Sequence, residues 1–176
     1  IKGNQKDTSN PFFEFNPELC IMCRRCTRVC EKLQGRNVIS IENRSFDTKI
    51  SPSYGLPWKE SNCESCGNCV SNCPTGALSS KDNKRNYRAW EVEKVRTTCP
   101  HCGVGCQYDL LVKNNKVVGV DPAAGPSNSG LLCVKGKFGS YKFIHSQDRL
   151  THPLIKRNGK IEKASWDEAL NLIESK

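Results

Sequence analysis

Twelve of the 176 residues are cysteine, and all twelve fall into three sets of four. The first set is Cys20, Cys23, Cys26 and Cys30; the second is Cys63, Cys66, Cys69 and Cys73. Both read Cys-x2-Cys-x2-Cys-x3-Cys, and the second runs on into Pro74. The third set is looser, with Cys99, Cys102 and Cys106 close together and Cys133 after a long gap. Such a chain is constrained first by inorganic chemistry. A cubane [4Fe–4S] cluster takes one thiolate per iron, and three thiolates spaced along one wrapping loop reach three of its corners. The fourth cysteine of each run points away from its own loop and ligates the neighbouring cluster. This spacing assigns Cys20, Cys23, Cys26 and Cys73 to one cluster and Cys63, Cys66, Cys69 and Cys30 to the next, close enough for fast electron exchange.

Two other uses of cysteine compete. Structural zinc sites use cysteine pairs separated by a longer loop. A triple with a fourth nearby, present twice, fits that pattern poorly, although for the third set alone zinc stays open. Twelve is an even number, as a disulfide framework requires. Yet Cys-x2-Cys pairs seldom form structural disulfides, and the chain is longer than the usual disulfide-stapled scaffold.

Only 36% of the chain is hydrophobic, with 13 glycines and 9 prolines. A large apolar core is excluded, so bound clusters are expected to stand in for part of it, and their loss to unfold the chain. The formal charge of +9 counts the thiols as neutral. Three oxidised clusters with their thiolates bring it down to about +3, which weakens any case for nucleic acid as a partner. Lys81, Lys84, Arg85 and Arg88 form one basic stretch with Tyr87 and Trp90 nearby. It reads as a solvated linker, with a docking face for an acidic partner subunit as the alternative. No run reaches the length of a membrane helix, and Ile1 begins no signal peptide. Dense thiolate ligation points to a reducing compartment, the cytoplasm.

The expected fold is α+β. Residues 1–12 read as linker and 13–80 as a double [4Fe–4S] module like that of two-cluster bacterial ferredoxins, built on an internal repeat with an insertion. Within it, Val38, Ile39 and Ile41 form a short strand that Phe46 and Ile50 pair with around Asn43. Pro52, Gly55 and Pro57 mark a loop. Residues 81–93 read as a second linker and 94–148 as a small hairpin-rich [4Fe–4S] domain. Its hairpin alternates Tyr108, Leu110 and Val112, turns at Asn114-Asn115 and returns through Val117, Val118 and Val120. A loop of Gly125, Pro126, Asn128 and Gly130 leads back to Cys133. In residues 149–176, Ser165 and Glu168 form a capping box opening a helix that runs to the last residue.

Two segments carry a specific resemblance: Thr97-Thr98-Cys99-Pro100-His101-Cys102-Gly103-Val104-Gly105-Cys106 and Gly130-Leu131-Leu132-Cys133-Val134-Lys135-Gly136-Lys137-Phe138-Gly139. Together they resemble the N-terminal cluster domain of the molybdopterin-dependent oxidoreductases. Arg149 to Ile155 and Ala164 to Leu170 are similar to the start of that family's large catalytic region, so 149–176 reads as its truncated beginning. A double ferredoxin module in front of this domain, introduced by Asn10-Pro11-Phe12-Phe13, resembles the alpha subunit of cytoplasmic formate dehydrogenases.

The resemblance implies that Cys99, Cys102, Cys106 and Cys133 bind the [4Fe–4S] cluster nearest the pterin, and that Lys135 bridges that cluster to the pterin for electron transfer. It implies three [4Fe–4S] clusters here and molybdopterin guanine dinucleotide with molybdenum or tungsten in the full-length protein, whose metal-ligating Cys or selenocysteine lies beyond Lys176. The implied activity is formate oxidation to CO2, or its reverse, with electrons passed to NAD-, quinone- or ferredoxin-linked partner subunits. Lys137 stands where the family commonly has Arg, Arg24 where many relatives have Gly, and Glu31 where a simple ferredoxin has Pro. Arg24 is positioned to raise the potential of its cluster. His101, His145 and His152 read as surface or packing residues, and no catalytic side-chain constellation emerges. An iron–sulfur subunit of an NADH dehydrogenase-like or hydrogenase-like complex and a free-standing polyferredoxin remain the competing functions.

Overall fold

Short antiparallel ribbons frame the two repeated cysteine loops. Strand β1 (Phe13–Phe15) leads into the first loop. Strands β2 (Ile39–Glu42) and β3 (Lys49–Pro52) form a hairpin between the loops, with Ile41 opposite Ile50. Strand β4 (Leu78–Ser80) follows the second loop and pairs with β1, Phe15 opposite Leu78. The computed structural model describes residues 5–82, 87–139 and 141–176, in two compact units, one ending at Lys142 and one spanning Phe143–Lys176. Lys84 and Arg85 of the basic stretch lie outside the described residues.

The loops wrap by the same backbone device. Met22 and Arg24 take φ of 54° and 61°, and Ser65 and Gly67, at the equivalent places, take 56° and 76°. Each left-handed residue turns the chain so that successive cysteines face one centre. A short helix then carries the loop away: α1 (Arg25–Arg28), continued by a π-helical turn at Val29–Leu33, and α2 (Asn68–Asn72). Only glycine adopts this φ freely; for Arg24 it costs about 1 kcal/mol.

Aromatic packing holds the loops together. Trp58, 2% exposed, lies edge-on to Phe13 and Phe15 with ring centres 5.1 and 6.4 Å away. Val29, Ile39, Ile50, Ala77 and Leu78 complete this core, and the thiols of Cys26 and Cys69 belong to it. The stretch that reads as an N-terminal linker is tied down from Asp7 onward. Asp7 bridges to Phe15 through both backbone groups, and its carboxylate accepts the Trp58 N–H. The hairpin differs from expectation at two residues, of which Val38 lies just before β2. Ile50 pairs as anticipated, but Phe46 is fully exposed in the connecting turn, because Asn43 and Ser45 both take positive φ and reverse the chain before it.

The third cysteine set is carried by a sheet in the order β5 (Glu93–Thr98), β6 (Gln107–Lys113), β7 (Lys116–Pro122). Asn114 and Asn115, with φ of 50° and 58°, make the tight turn between β6 and β7 that favours Asn. Edge strand β5 is almost wholly exposed and carries Lys94 and Arg96, paired with Asp121 and Asp109, which discourages further strand pairing. Tyr108, Val120, Leu132 and Cys99 form a second small core.

In the unit from Phe143, strands β8 (Leu154–Arg157) and β9 (Lys160–Lys163) turn at Asn158 and Gly159, both at positive φ. Helix α3 (Trp166–Glu174) follows, and its capping box closes as expected: the Glu168 N–H donates to Ser165 Oγ at 3.1 Å and the Ser165 N–H to Glu168 Oε2 at 3.0 Å. Among the described residues, no helix is long and apolar enough to cross a membrane.

The repeat predicts opposite outcomes at equivalent positions. Arg24→Gly relieves left-handed strain and raises the stability measured by anaerobic urea unfolding by up to about 1 kcal/mol. Gly67→Ala lowers it by at least about 2 kcal/mol, because a Cβ there meets Phe138 Cζ at 2.6 Å.

Candidate metal centres

The three cysteine sets gather in space. One cavity is lined by Cys20, Cys23, Cys26 and Cys73, with Phe15, Ile50, Ala77 and Leu78 as its apolar wall. A second is lined by Cys63, Cys66, Cys69 and Cys30, walled by Phe13, Val29, Ile39 and Trp58. Each cavity therefore takes three thiols from one loop and the fourth from the other loop's run. The two adjoin, since Cys69 feels the charge of Cys26 as well as those of its own set. In the third set, Cys106 is the electrostatic neighbour of Cys99, Cys102 and Cys133. Cys99 is buried, whereas Cys102 and Cys133 are exposed, leaving one side of this set open.

Backbone N–H groups point at sulfur. Val38 donates to Cys30, Ser65 to Cys63 and Leu78 to Cys73, each at 3.4 Å. Such bonds stabilise negative charge on a ligating sulfur. Burial pushes the Cys26 thiol up to about 11, with Cys20, Cys23 and Cys73 adding to it. Burial also raises Cys63, and raises the fully enclosed Cys69 most of all. At Cys73 burial acts the same way, but the Leu78, Thr75 and Gly76 N–H groups and the Thr75 hydroxyl outweigh it and hold this thiol below its ordinary value. At the raised thiols Cys26, Cys63 and Cys69, a bound cationic centre would take the place of the proton.

Among the described residues, no three His, Cys, Asp or Glu side chains converge closely enough to hold a single metal. Zinc draws its four sulfurs to within about 2.3 Å of one point, whereas the first two sets each line a volume. No disulfide joins any of these twelve cysteines.

Residues 10–79 match the ferredoxin-like domain of NADH-quinone oxidoreductase subunit 3, residues 92–146 the molybdopterin oxidoreductase Fe4S4 domain, and residues 149–176 the molybdopterin oxidoreductase domain. From residue 92 onward the chain carries molybdopterin oxidoreductase domains. Among its relatives, the NADPH-Fe(3+) oxidoreductase subunit alpha of Geobacter sulfurreducens is 40% identical over 91% of this chain and 18% of its own length. An NADH-quinone oxidoreductase subunit of Rhizobium meliloti is 36% identical over 95% of this chain and 19% of its own. A Staphylococcus haemolyticus protein provisionally named a formate dehydrogenase is 30% identical over 99% and 21%. The chain spans about a fifth of the length of these relatives, and it is an iron–sulfur electron-transfer region of the molybdopterin oxidoreductase family.

Within that family's cluster domain, the turn at Lys135–Gly139 presents its two lysines differently. Lys135 is exposed, as is Cys133 two residues before it. Lys137 is buried, its Nζ donating to the Val120 carbonyl at 3.4 Å and its stem lying against Gly67 of the second loop. The sequence marks Lys137 only as a replacement for Arg, and carries no sign that it is the enclosed one. His101, His145 and His152 are exposed, as anticipated.

Three buried asparagines organise the centres; the sequence marks Asn10 and Asn128 only as members of a lead-in and a loop, and Asn68 not at all. Asn10 donates to Ser65 Oγ at 2.9 Å and accepts from the Phe12 and Phe13 N–H groups, joining the lead-in to the second loop. Asn68 bonds Leu132 across the modules. Asn128 accepts the Gln107 N–H at 3.0 Å and donates to the carbonyls of Gln107, Ala123 and Leu131, pinning the loop that returns to Cys133. Their only sequence signal is polarity inside Gly- and Pro-rich loops, where Asn is common for other reasons. Asn128→Ala strands several of these groups and is expected to cost about 2–4 kcal/mol. Anaerobic unfolding should show the loss, together with reduced metal occupancy at the Cys99 set alone.

Proposed function

We propose that this chain is the electron-relay region of a formate dehydrogenase-like enzyme, linking a molybdenum- or tungsten-pterin centre to partner redox subunits through three [4Fe–4S] clusters. The observation that carries this reading is the pair of hollows, each lined by four thiols in the crossed pattern of Cys20, Cys23, Cys26, Cys73 and Cys30, Cys63, Cys66, Cys69. These residues fit the group: four soft sulfur donors around a volume, apolar walls and inward-pointing N–H bonds. Cys99, Cys102, Cys106 and Cys133 would hold the third cluster, on the pterin side of the route. Bound clusters supply one-electron carriers, which divide the electron pair released as formate becomes CO2.

The chain's own residues do the rest. Trp58, Phe13, Phe15, Ile50 and Leu78 keep water from the paired hollows, which lowers the reorganisation that each electron transfer demands. The N–H groups of Val38, Ser65 and Leu78 stabilise the more negative, reduced state and so raise its potential. Arg24, exposed on the first loop, acts in the same direction. Lys135, exposed and two residues after Cys133, would bridge the third set to the pterin and steady negative charge arriving from it. Molybdopterin guanine dinucleotide would be held by the remainder of the full-length protein, and NAD-, quinone- or ferredoxin-linked subunits would take the electrons in the cytoplasm.

A second reading has its own support. The match of residues 10–79 to an NADH-quinone oxidoreductase domain and the Rhizobium meliloti relative favour a large iron–sulfur subunit of an NADH dehydrogenase-like complex. Formate-dependent reduction of an artificial acceptor by the full-length protein separates the two. Turnover, with molybdenum or tungsten in the preparation and a metal-ligating Cys or selenocysteine beyond Lys176 in the reading frame, supports the formate enzyme. Absence of all three supports the NADH dehydrogenase-type subunit.

The relay itself predicts about twelve irons and as many sulfides per chain. Cys73→Ser should damage the cluster held by Cys20, Cys23 and Cys26, although Cys73 lies in the other run. Selective loss of the neighbouring cluster in EPR would falsify the crossed assignment.

A further inference from the structure

The ferredoxin-like module and the module of the third set meet at one buried carboxamide. Asn68 follows Gly67, opens α2 and directly precedes Cys69; it is 1% exposed. Its Nδ2 donates to the Leu132 carbonyl at 2.9 Å, and its Oδ1 accepts the Leu132 N–H at 3.1 Å. This is the pairing one strand makes with another, supplied here by a side chain. Leu132 directly precedes Cys133 and lies in the core formed with Cys99, Tyr108 and Val120. Leu131 and Val134, on either side, pack instead against the ferredoxin-like core, and Phe138 belongs to it, stacked on Phe12 at 5.3 Å. The loop carrying Cys133 is thus shared between two cores, and the Asn68 carboxamide closes the joint.

The repeat shows that this joint is specific to the second loop. Cys66-Gly67-Asn68-Cys69 corresponds to Cys23-Arg24-Arg25-Cys26 in the first loop, where Arg24 and Arg25 are both exposed. At the second loop the bare Cα of Gly67 admits Phe138 and the stem of Lys137. Leu132 is almost fully buried, so its N–H and C=O both need partners. A carboxamide offers a donor and an acceptor in one planar group, which Asp, Ser and Ala do not.

We propose that Asn68 is a positioning residue for electron transfer between the second and third cysteine sets. By holding the Leu132 peptide it fixes Cys69 relative to Cys133. This makes the set of Cys30, Cys63, Cys66 and Cys69, rather than that of Cys20, Cys23, Cys26 and Cys73, the redox neighbour of Cys99, Cys102, Cys106 and Cys133. From Cys69 to Cys133 the connection is covalent except for one hydrogen bond. The inference rests on the reading that these sets hold clusters.

The test uses the full-length holo-protein. EPR signals are assigned with Cys66→Ser and Cys102→Ser. Asn68→Ala and Asn68→Asp are then compared with Asn72→Ala, a control whose amide bonds the Asn68 carbonyl at 2.9 Å within the same helix. Both Asn68 variants should keep native iron content, weaken the magnetic interaction between the second and third cluster signals, and slow transfer between them severalfold. Asn72→Ala should leave interaction and rate unchanged. Native interaction and rate in the Asn68 variants overturn the role, and so does an equal loss in Asn72→Ala. If Asn68→Ala loses a cluster, Asn68→Ser, whose hydroxyl still meets the Leu132 N–H, is read for the same two quantities and should fall between wild type and Asn68→Asp. Wild-type protein lacking the second or third cluster would overturn the relay reading and this role together.

Discussion

Like charges gathered in a hollow poor in water are the constraint on which the rest of this structure depends. Burial, and after it the neighbouring thiols, raise Cys26, Cys63 and Cys69. A cationic inorganic core would relieve them and become part of the protein interior. With only 36% hydrophobic residues, the chain wraps short loops and ribbons around such centres, because it lacks the apolar surface for thick layers. Cys26 and Cys69 already sit in the aromatic core with Phe13, Phe15 and Trp58. Stability and electron transfer therefore share the same residues: the walls that exclude water from the carriers are the walls that hold the fold.

How much of this was legible in the sequence follows from the range of the forces involved. Local chemistry reads well. The Asn114-Asn115 hairpin and the Ser165–Glu168 capping box stand where their residues place them, because a turn or a cap is decided within four residues. Asn158-Gly159 is an equally good local turn signal for β8 and β9. The crossed grouping of thiols was also accessible, since cluster ligation imposes it on the spacing. What the sequence withheld is long-range. Trp58 lies in a Pro- and Gly-marked loop, yet fills the main core because β1 passes beneath it. Phe46, apolar by type, is left in water by two positive-φ residues that no hydrophobic pattern encodes. Asn10, Asn68 and Asn128 matter for the atoms they meet 55, 64 and 21 residues away.

Family membership adds to this picture what the fragment cannot carry alone. The relatives share the iron–sulfur region while their names span NADPH-Fe(3+), NADH-quinone and formate chemistry. A region reused across such different enzymes is under pressure to hold carriers at fixed separations and to leave substrate choice to others. In this chain the buried Asn68 and Asn128 bind backbone groups and so hold loops in place.

The departure of the two loops from their own repeat shows how such a relay gains direction. A symmetric pair of clusters would present the same face to both neighbours. Here the second loop has Gly67 and Asn68 and is buried against the Cys133 loop, at the close backbone approach its glycine allows. The first loop has Arg24 and Arg25 at the same places, both exposed, with Arg24 held at a φ that glycine would adopt without cost. Strain accepted on one loop and glycine retained on the other are two consequences of one requirement, that the repeat have an inner and an outer end. The inner end excludes water and closes on the third set. The outer end keeps its positive charge in solvent, where it would favour the reduced state of a cluster held by Cys20, Cys23, Cys26 and Cys73.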